Sequence, residues 1–199
     1  RSGFVALNVE PTPTTLKALL SLSFGNPLLM QGLCGELCRS QKIFATCAET
    51  KKIDLHKNDV GPLAASYAQH RTTIFDAIID TNSPKSWKTK DGRKLSLSEV
   101  LVLAINHRRP NEKYPLSNIA KRIRERILRG DPPSNFEALV GKKIREIVEK
   151  FGGDHDSKDR SPLYFDGSTL IVLDPYFTIW ARWVVGPRLA GRLFKNDDM

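Results

Sequence analysis

Hydrophobic residues recur at helical spacing in three successive segments of the second half of the chain. The first segment follows Ser96 or Ser98, either of which can cap a helix, and the next two span Leu116–Leu128 and Phe136–Phe151. The polar run His107–Pro115 ends the first segment, because a proline disfavours helix in the residue before it. Three amphipathic helices are therefore predicted.

Two short strands are predicted after the third helix. Leu163–Phe165 and Thr169–Leu173 flank Asp166-Gly167, a dipeptide that suits a tight hairpin turn with positive φ. An aromatic segment follows, in which Asp174 can cap a last helix that seals the core. Three helices followed by a hairpin predict a winged helix in residues 95–185, with the hairpin as its wing.

The first half of the chain is also patterned as helices. The Thr-Pro pair at residues 12–13 is a strong helix start, since threonine caps a helix and proline is tolerated at its first position. Gly25 can end this helix in a left-handed conformation, and Asn26 can cap a second, leucine-rich helix over Pro27–Ser40. The predicted fold is mostly α, a helical bundle followed by the winged helix.

The segment between these halves is predicted to be a connector. Val60-Gly61-Pro62 starts a helix whose apolar stripe continues to Ile79. Thr81–Arg93 contains Asn-Ser-Pro and Asp-Gly and is the best candidate for a hinge loop.

The composition of the 199 residues is that of a globular protein, with 40% hydrophobic and 27% charged residues. No apolar run could span a bilayer and no signal-peptide pattern opens the chain, so we expect a cytoplasmic protein without a membrane partner. The sequence opens at an arginine in mid-pattern, which suggests a fragment. Cys34 and Cys38 do not have the spacing of a zinc ribbon or redox pair, and buried thiols are expected rather than a metal site.

The net charge of +9 is concentrated in one region. His107–Lys150 carries twelve Lys and Arg against six Asp and Glu, which favours an acidic partner and nucleic acid first. In a helix-turn-helix module the recognition helix enters the major groove and flanking cations hold phosphates. The candidate nucleic-acid-binding residues are Lys142, Lys143, Arg145 and Lys150 on the third helix, Lys121, Arg122, Arg124 and Arg126 on the second, and Lys158 and Arg160 at the wing.

These cations also fit roles that do not involve nucleic acid. Glutamates share the third helix, and mixtures of Glu and Lys are usual on solvated helix faces. Arg145 is the only arginine there, so bidentate readers of bases are few. The basic face could meet DNA, an acidic protein, or a neighbouring domain of the same protein.

The stretch FGNPLLMQGL resembles the helical lid of P-loop ATPases of the AAA+ and STAND kind, in which a Gly-x-Pro turn lies beside the nucleotide. This resemblance puts Gly25, Asn26 and Pro27 at the nucleotide edge. WKTKDGRKLSLSEVLVLAI and LIVLDPYFTIWARW are similar to the winged-helix part of prokaryotic ATPases of this type. The expected parts are a helical lid-like subdomain at 1–58, a connector helix and hinge loop at 59–94, a winged-helix domain at 95–185, and a C-terminal basic helix and tail at 186–199.

The chain lacks the phosphate-binding half of such an ATPase. The nearest match to a Walker A loop is Gly141-Lys142-Lys143, which has Phe136 in place of the first glycine and Lys143 in place of the hydroxyl residue. No strand ending in paired acids supplies a Walker B motif, and no catalytic residue is predicted. The resemblance therefore implies ATP or ADP with Mg²⁺, held mainly by a missing N-terminal nucleotide-binding domain, and no enzymatic activity of this chain alone.

Three hypotheses from different classes follow. The leading one is the lid and winged-helix portion of an AAA+/STAND-like ATPase, acting as a nucleotide-dependent regulatory and DNA-binding module. The second is a stand-alone winged-helix transcriptional regulator, and the third is a protein-interaction adaptor. An upstream Walker A loop would favour the first, and salt-dependent binding to duplex DNA would separate the second from the third.

Overall fold

The computed structural model describes residues 2–69, 75–79, 84, 86–106, 113–152 and 161–190. The chain is mostly helical with small sheets. It divides into two compact units, Arg1–His70 and Arg71–Met199. The first unit includes the helix that starts at Val60, which the sequence pattern assigned to a connector.

The first unit consists of helices and one short parallel strand pair. Its elements in chain order are α1 (Ser2–Ala6), β1 (Val9–Pro11), α2 (Pro13–Ser23), α3 (Pro27–Ser40), β2 (Lys51–Ile53), a 3₁₀ turn (Lys57–Asp59) and α4 (Val60–Gln69). Strands β1 and β2 pair in parallel, with Glu10 opposite Lys52. The predicted starts of α2 and α3 are both confirmed, with Thr12 and Asn26 as caps.

Helix α3 is the centre of the first unit because it packs against both α2 and α4. Leu33 and Leu37 of α3 are fully buried. At the crossing with α4, the Tyr67 ring lies directly over Gly32, and a Cβ built at Gly32 would be 1.8 Å from the Tyr67 hydroxyl. Helix α4 also binds α3 through Ser66, whose hydroxyl donates a 2.6 Å hydrogen bond to the buried carboxylate of Glu36.

The second unit begins with a hairpin and continues as helices around a three-stranded sheet. Its elements in chain order are β3 (Trp87–Lys88), β4 (Lys94–Leu95), α5 (Leu97–Ile105), β5 (Lys113–Pro115), α6 (Leu116–Arg122), a π-helical segment (Ile123–Ile127), α7 (Phe136–Gly152), β6 (Leu163–Phe165), β7 (Thr169–Val172), α8 (Pro175–Ile179), a second π-helical segment (Trp180–Val185) and α9 (Gly186–Ala190).

The predicted hairpin is confirmed, and it gains a strand that the sequence pattern did not predict. Strands β6 and β7 are antiparallel, and the turn at Asp166-Gly167 has φ +98° at the glycine. Strand β5 pairs with the other edge of β7, so the sheet order is β5-β7-β6. Part of the run predicted only to end a helix is therefore a strand, with Tyr114 opposite Leu170.

Local sequence signals set the helix starts of the second unit. Ser96 caps α5 in a complete capping box, because its hydroxyl accepts from Glu99 N–H and the Glu99 carboxylate accepts from Ser96 N–H. At the crossing of α6 and α7, a Cβ at Gly141 would be 3.0 Å from a methyl of Leu116, as expected for a glycine where another surface approaches closely.

The end of the described chain differs from its prediction. The sequence pattern predicted a separate C-terminal basic helix and tail from residue 186, but helical backbone continues from Pro175 to Ala190. A π-helical segment precedes Gly186 and Pro187. Proline has no N–H to donate, and here the regular α-helical hydrogen-bond pattern is already interrupted, so Pro187 is accommodated. Residues 191–199 lie outside the described residues.

Aromatic side chains seal the core beneath this last helix, as predicted. The rings of Phe75, Phe177 and Trp180 contact one another with centroids 5.4 to 5.7 Å apart, and all three are almost completely buried. None of the helices in the described segments has an apolar stretch sufficient to cross a lipid bilayer.

Candidate functional site

The Gly-Asn-Pro turn between α2 and α3 has the geometry that its sequence predicts. Phe24 and Gly25 both adopt left-handed conformations, with φ of 51° and 79°, which reverses the chain after α2. The Asn26 side-chain oxygen then accepts hydrogen bonds from the N–H groups of Leu28 at 2.9 Å and Leu29 at 3.2 Å. Pro27 occupies the first position of α3. The turn is therefore rigid at both of its ends.

The surface around this turn is apolar as well as exposed. Gly25 and Pro27 are exposed, and so are two large hydrophobic side chains of the helices that the turn joins: Leu20, which is 58% exposed, and Leu28, which is 64% exposed. The Asn26 oxygen is already used by the cap, so the turn offers backbone groups, the Pro27 ring and leucine side chains to a partner. These groups suit contacts with a flat, partly apolar group better than contacts with phosphate.

The cations predicted on α7 fall on two different faces of the helix. Lys142 and Arg145 are exposed to solvent. Lys143 is only 20% exposed and pairs with Glu146 at 3.3 Å, and the Lys150 ammonium donates a 3.1 Å hydrogen bond to the Ala77 carbonyl. Lys143 and Lys150 line a cleft of about 110 Å³ within the second unit. Lys142 and Arg145 therefore share the outer face, while Lys150 is exposed at the edge of the cleft.

The cations of the preceding helix divide in the same way. Lys121 and Arg124 are exposed, and Lys121 lies 4.0 Å from Glu125. Arg126 is also exposed. Arg122 instead donates a 3.1 Å hydrogen bond to the Asn106 carbonyl, so it joins α6 to the end of α5. The predicted wing residues Lys158 and Arg160 lie outside the described residues.

The outward cations lie on two segments of the chain whose helices, α6 and α7, pack against each other. Gly141 is buried against Leu116 of α6, and Lys142 follows it directly in α7. We call Lys121, Arg124, Lys142 and Arg145 the helix cluster. The exposed glutamates on these helices are Glu125, Glu137, Glu146 and Glu149, so this face has mixed charge. Cations that flank a helix crossing can hold the phosphates beside a groove, but the cluster has few bidentate base readers.

The sequence pattern did not reveal a second group of cations, on the hairpin of β3 and β4. Residues 81–83 and 85 of the predicted hinge, Thr81–Arg93, lie outside the described residues, and its last residues belong to a hairpin whose Trp87 ring packs on Phe136 at 5.2 Å. Lys88, Lys90 and Lys94 are exposed on this hairpin. The Asp91-Gly92 dipeptide, which has φ +88° at the glycine, is the same turn signal that predicted the other hairpin.

The hairpin turn is held by one carboxylate. Asp91 accepts hydrogen bonds from the Thr89 hydroxyl at 2.5 Å and from the Arg93 guanidinium at 2.7 Å. Partial burial by itself would raise the pKa of Asp91, but the hydrogen bonds from Thr89 and Arg93 outweigh it and lower the pKa below its ordinary value. The carboxylate is therefore ionised at neutral pH and is engaged inside the turn.

Potential metal ligands are not grouped in the described segments, and the cysteine thiols are not paired. These segments hold no group of three or more His, Cys, Asp and Glu residues placed to bind a metal ion. Burial raises the pKa of the Cys34 and Cys38 thiols, so both are protonated at neutral pH. All three cysteines are free thiols.

Comparison of the chain with protein-family models found no match, and comparisons with curated proteins and with solved structures found no significant match.

Proposed function

We propose that this chain is the lid and winged-helix portion of an ATP-dependent switch of the AAA+ or STAND kind. The observation that carries the proposal is the Gly25-Asn26-Pro27 turn, exposed and rigidly capped within a helical unit that precedes the second unit along the chain. In the proposed protein, an upstream nucleotide-binding domain holds ATP or ADP with Mg²⁺, and this turn contacts the adenine edge. A cytoplasmic location follows from this role.

The order of elements in the second unit supports its assignment as a winged helix. Helix α5, strand β5, helices α6 and α7, and the hairpin of β6 and β7 follow one another in the order of that fold. Strand β5, which lies between α5 and α6 in the chain, pairs with β7 of the hairpin. The wing and β5 therefore form one small sheet. In this proposal α7 is the recognition helix and β6 with β7 is the wing.

The first experiment uses the natural coding sequence that precedes Arg1. The longer protein should bind a fluorescent ATP analogue, and Asn26→Asp should weaken this binding because it adds a negative charge at the turn while keeping the cap. At a separation of about 8 Å and an effective dielectric of about 40, one added charge costs about 1 kcal/mol, or about fivefold in affinity. Gln31→Glu, an equal charge change at an exposed position on α3, is the matched control and should have little effect.

Two results would overturn this proposal. One is an upstream sequence without any phosphate-binding loop. The other is a longer protein that binds the analogue equally well with Asn26→Asp, with Gln31→Glu and without substitution.

We propose DNA binding as a second candidate function, favoured by the exposed helix cluster. A chain that binds DNA would be either a module of the ATPase or a stand-alone transcriptional regulator. The alternative to DNA binding is an adaptor whose basic face meets an acidic protein. Binding to duplex DNA should weaken as salt rises, with a log–log slope of about −0.9 for each phosphate neutralised. Replacing Lys142 and Arg145 by alanine should reduce the slope by about 1.8. Lys17→Ala, on the exposed face of α2, is the control. A slope that the double variant leaves unchanged would exclude α7 from the interface.

A further inference from the structure

The hairpin of β3 and β4 carries two of its lysines directly opposite each other on one face. Its register pairs Trp87 with Leu95 and Lys88 with Lys94. Leu95 is buried and the Trp87 ring packs on Phe136, so these two side chains face the protein. Successive side chains in a strand point to opposite faces, and Lys88 and Lys94 therefore share the outer face, where both are exposed.

A third cation is fixed beside this pair. The N–H of Arg129, which follows the π-helical segment, donates a 2.9 Å hydrogen bond to the Lys88 carbonyl. Arg129 is exposed. We call Lys88, Lys94 and Arg129 the hairpin cluster. No ion pair joins any of the three to a carboxylate within the described part of the chain, although the exposed Asp131 lies two residues after Arg129.

The hairpin cluster is a rigid arrangement, even though a two-stranded hairpin is marginally stable by itself. Backbone hydrogen bonds join the hairpin to the end of the π-helical segment, including a 2.9 Å bond from Lys90 N–H to the Ile127 carbonyl. The Arg93 guanidinium donates a 2.6 Å hydrogen bond to the Leu189 carbonyl of α9. Like charges directly opposite each other on a hairpin are destabilising. An anion that bridges Lys88 and Lys94 would therefore stabilise the hairpin.

The position of the hairpin favours nucleic acid as that anion. Trp87 contacts Phe136, the first residue of α7, so the hairpin lies at the N-terminal end of this helix. Helix-turn-helix modules place that end of the recognition helix against the bases. Arg145 is nine residues further along, about 14 Å at 1.5 Å per residue, which is close to the ~12 Å width of the major groove.

We infer that the hairpin cluster is a second phosphate-binding surface for duplex DNA, beside the groove entered by α7. This inference rests on the proposed DNA binding and extends it to residues outside the helices of the motif. The three cations hold backbone phosphates, so they add affinity and salt dependence without adding preference for one base sequence.

The test compares three proteins on two unrelated duplexes over a range of salt concentrations. The triple variant Lys88→Ala, Lys94→Ala and Arg129→Ala should reduce the log–log salt slope by about 2.7 relative to the unsubstituted chain, equally on both duplexes. A matched triple variant removes three exposed lysines of the first unit, Lys17, Lys52 and Lys57, and should keep the original slope. Far-UV circular dichroism checks that both variants are folded.

The outcomes separate this inference from the proposal beneath it. If the chain binds duplex DNA and loses slope in the Lys142 and Arg145 variant, but the hairpin triple variant keeps its slope, the hairpin inference is wrong and DNA binding stands. If the chain binds polyglutamate and neither duplex, both are wrong. A loss of slope of the same size in the matched triple variant would also overturn the inference, because it would reflect net charge alone.

Discussion

The contact between Gly32 and Tyr67 allows a sharp test of the packing of the first unit. Gly32 lies in the interior of α3, where alanine would ordinarily stabilise the helix by about 1 kcal/mol. A Cβ at this position would lie 1.8 Å from the Tyr67 hydroxyl and 2.3 to 2.5 Å from two ring carbons. The ring is 8% exposed and belongs to α4, so it has little room to move away.

The two effects of Gly32→Ala can be compared. Overpacking of a core costs typically about 1–3 kcal/mol, and here the clash involves a ring rather than the end of a flexible chain. A clash of this severity belongs in the upper part of that range, about 2–3 kcal/mol, so subtracting about 1 kcal/mol of helix propensity leaves a net loss of about 1–2 kcal/mol in the free energy of unfolding. Gly35→Ala is the matched control, because it lies on the same helix with no atom within 4 Å of its Cβ. That variant should be stabilised by about 0.5–1 kcal/mol.

Urea unfolding followed by far-UV circular dichroism measures both variants. Adding Tyr67→Ala to Gly32→Ala should remove the clash, so that Gly32→Ala becomes stabilising in that background. Equal stabilisation by Gly32→Ala and Gly35→Ala would show that α3 and α4 do not cross at this glycine.

Three further predictions concern the second unit. Ser96→Ala should lower the free energy of unfolding by about 1 kcal/mol because Glu99 N–H loses its acceptor, and Ser96→Thr, which keeps a neutral hydroxyl acceptor, should recover most of the loss in the same urea assay. Hydrogen bonds from the N–H groups of Ser168 and Thr169, in the same turn, lower the pKa of Asp166, so the stability they contribute is present above its unfolded pKa and is lost as pH falls through the folded pKa. An NMR titration that finds this pKa at or above its ordinary value would contradict the turn geometry. Phe75→Ala should cost about 3–5 kcal/mol and shift the emission of Trp180 to longer wavelength, and unchanged emission would place Trp180 elsewhere.

The sequence predicted those features that depend on neighbours within a few residues. Thr12, Asn26, Ser96 and Asp174 each accept hydrogen bonds from N–H groups two or three positions along the chain. A cap of this kind needs only a short side chain and an adjacent helix, so its pattern is contained in a few consecutive residues. The turn at Gly167 was predictable for the same reason.

The features that sequence reasoning missed depend on distant partners. Strand β5 has three residues and ends in a proline, and its partner β7 lies more than fifty positions away. The positions of the α7 lysines were predicted on the helix, but not which lysines would face the protein. Lys150 is exposed, yet its ammonium is held by the Ala77 carbonyl, 73 positions earlier. The spacing of apolar positions shows which side of a helix is buried, but it does not show which other element packs against that side.

The buried hydroxyl of Thr15 joins two separate stretches of the first unit. It donates a 3.3 Å hydrogen bond to the Ile53 carbonyl and accepts one of 2.8 Å from Leu55 N–H, while Thr12 N–H reaches the same carbonyl at 2.9 Å. These hydrogen bonds therefore connect the start of α2 to the segment that leads to α4. Because these hydrogen bonds connect the start of α2 to the segment before α4, we expect a force applied to β1 to be transmitted to both α2 and α4. The two helices should then unfold together rather than one after the other.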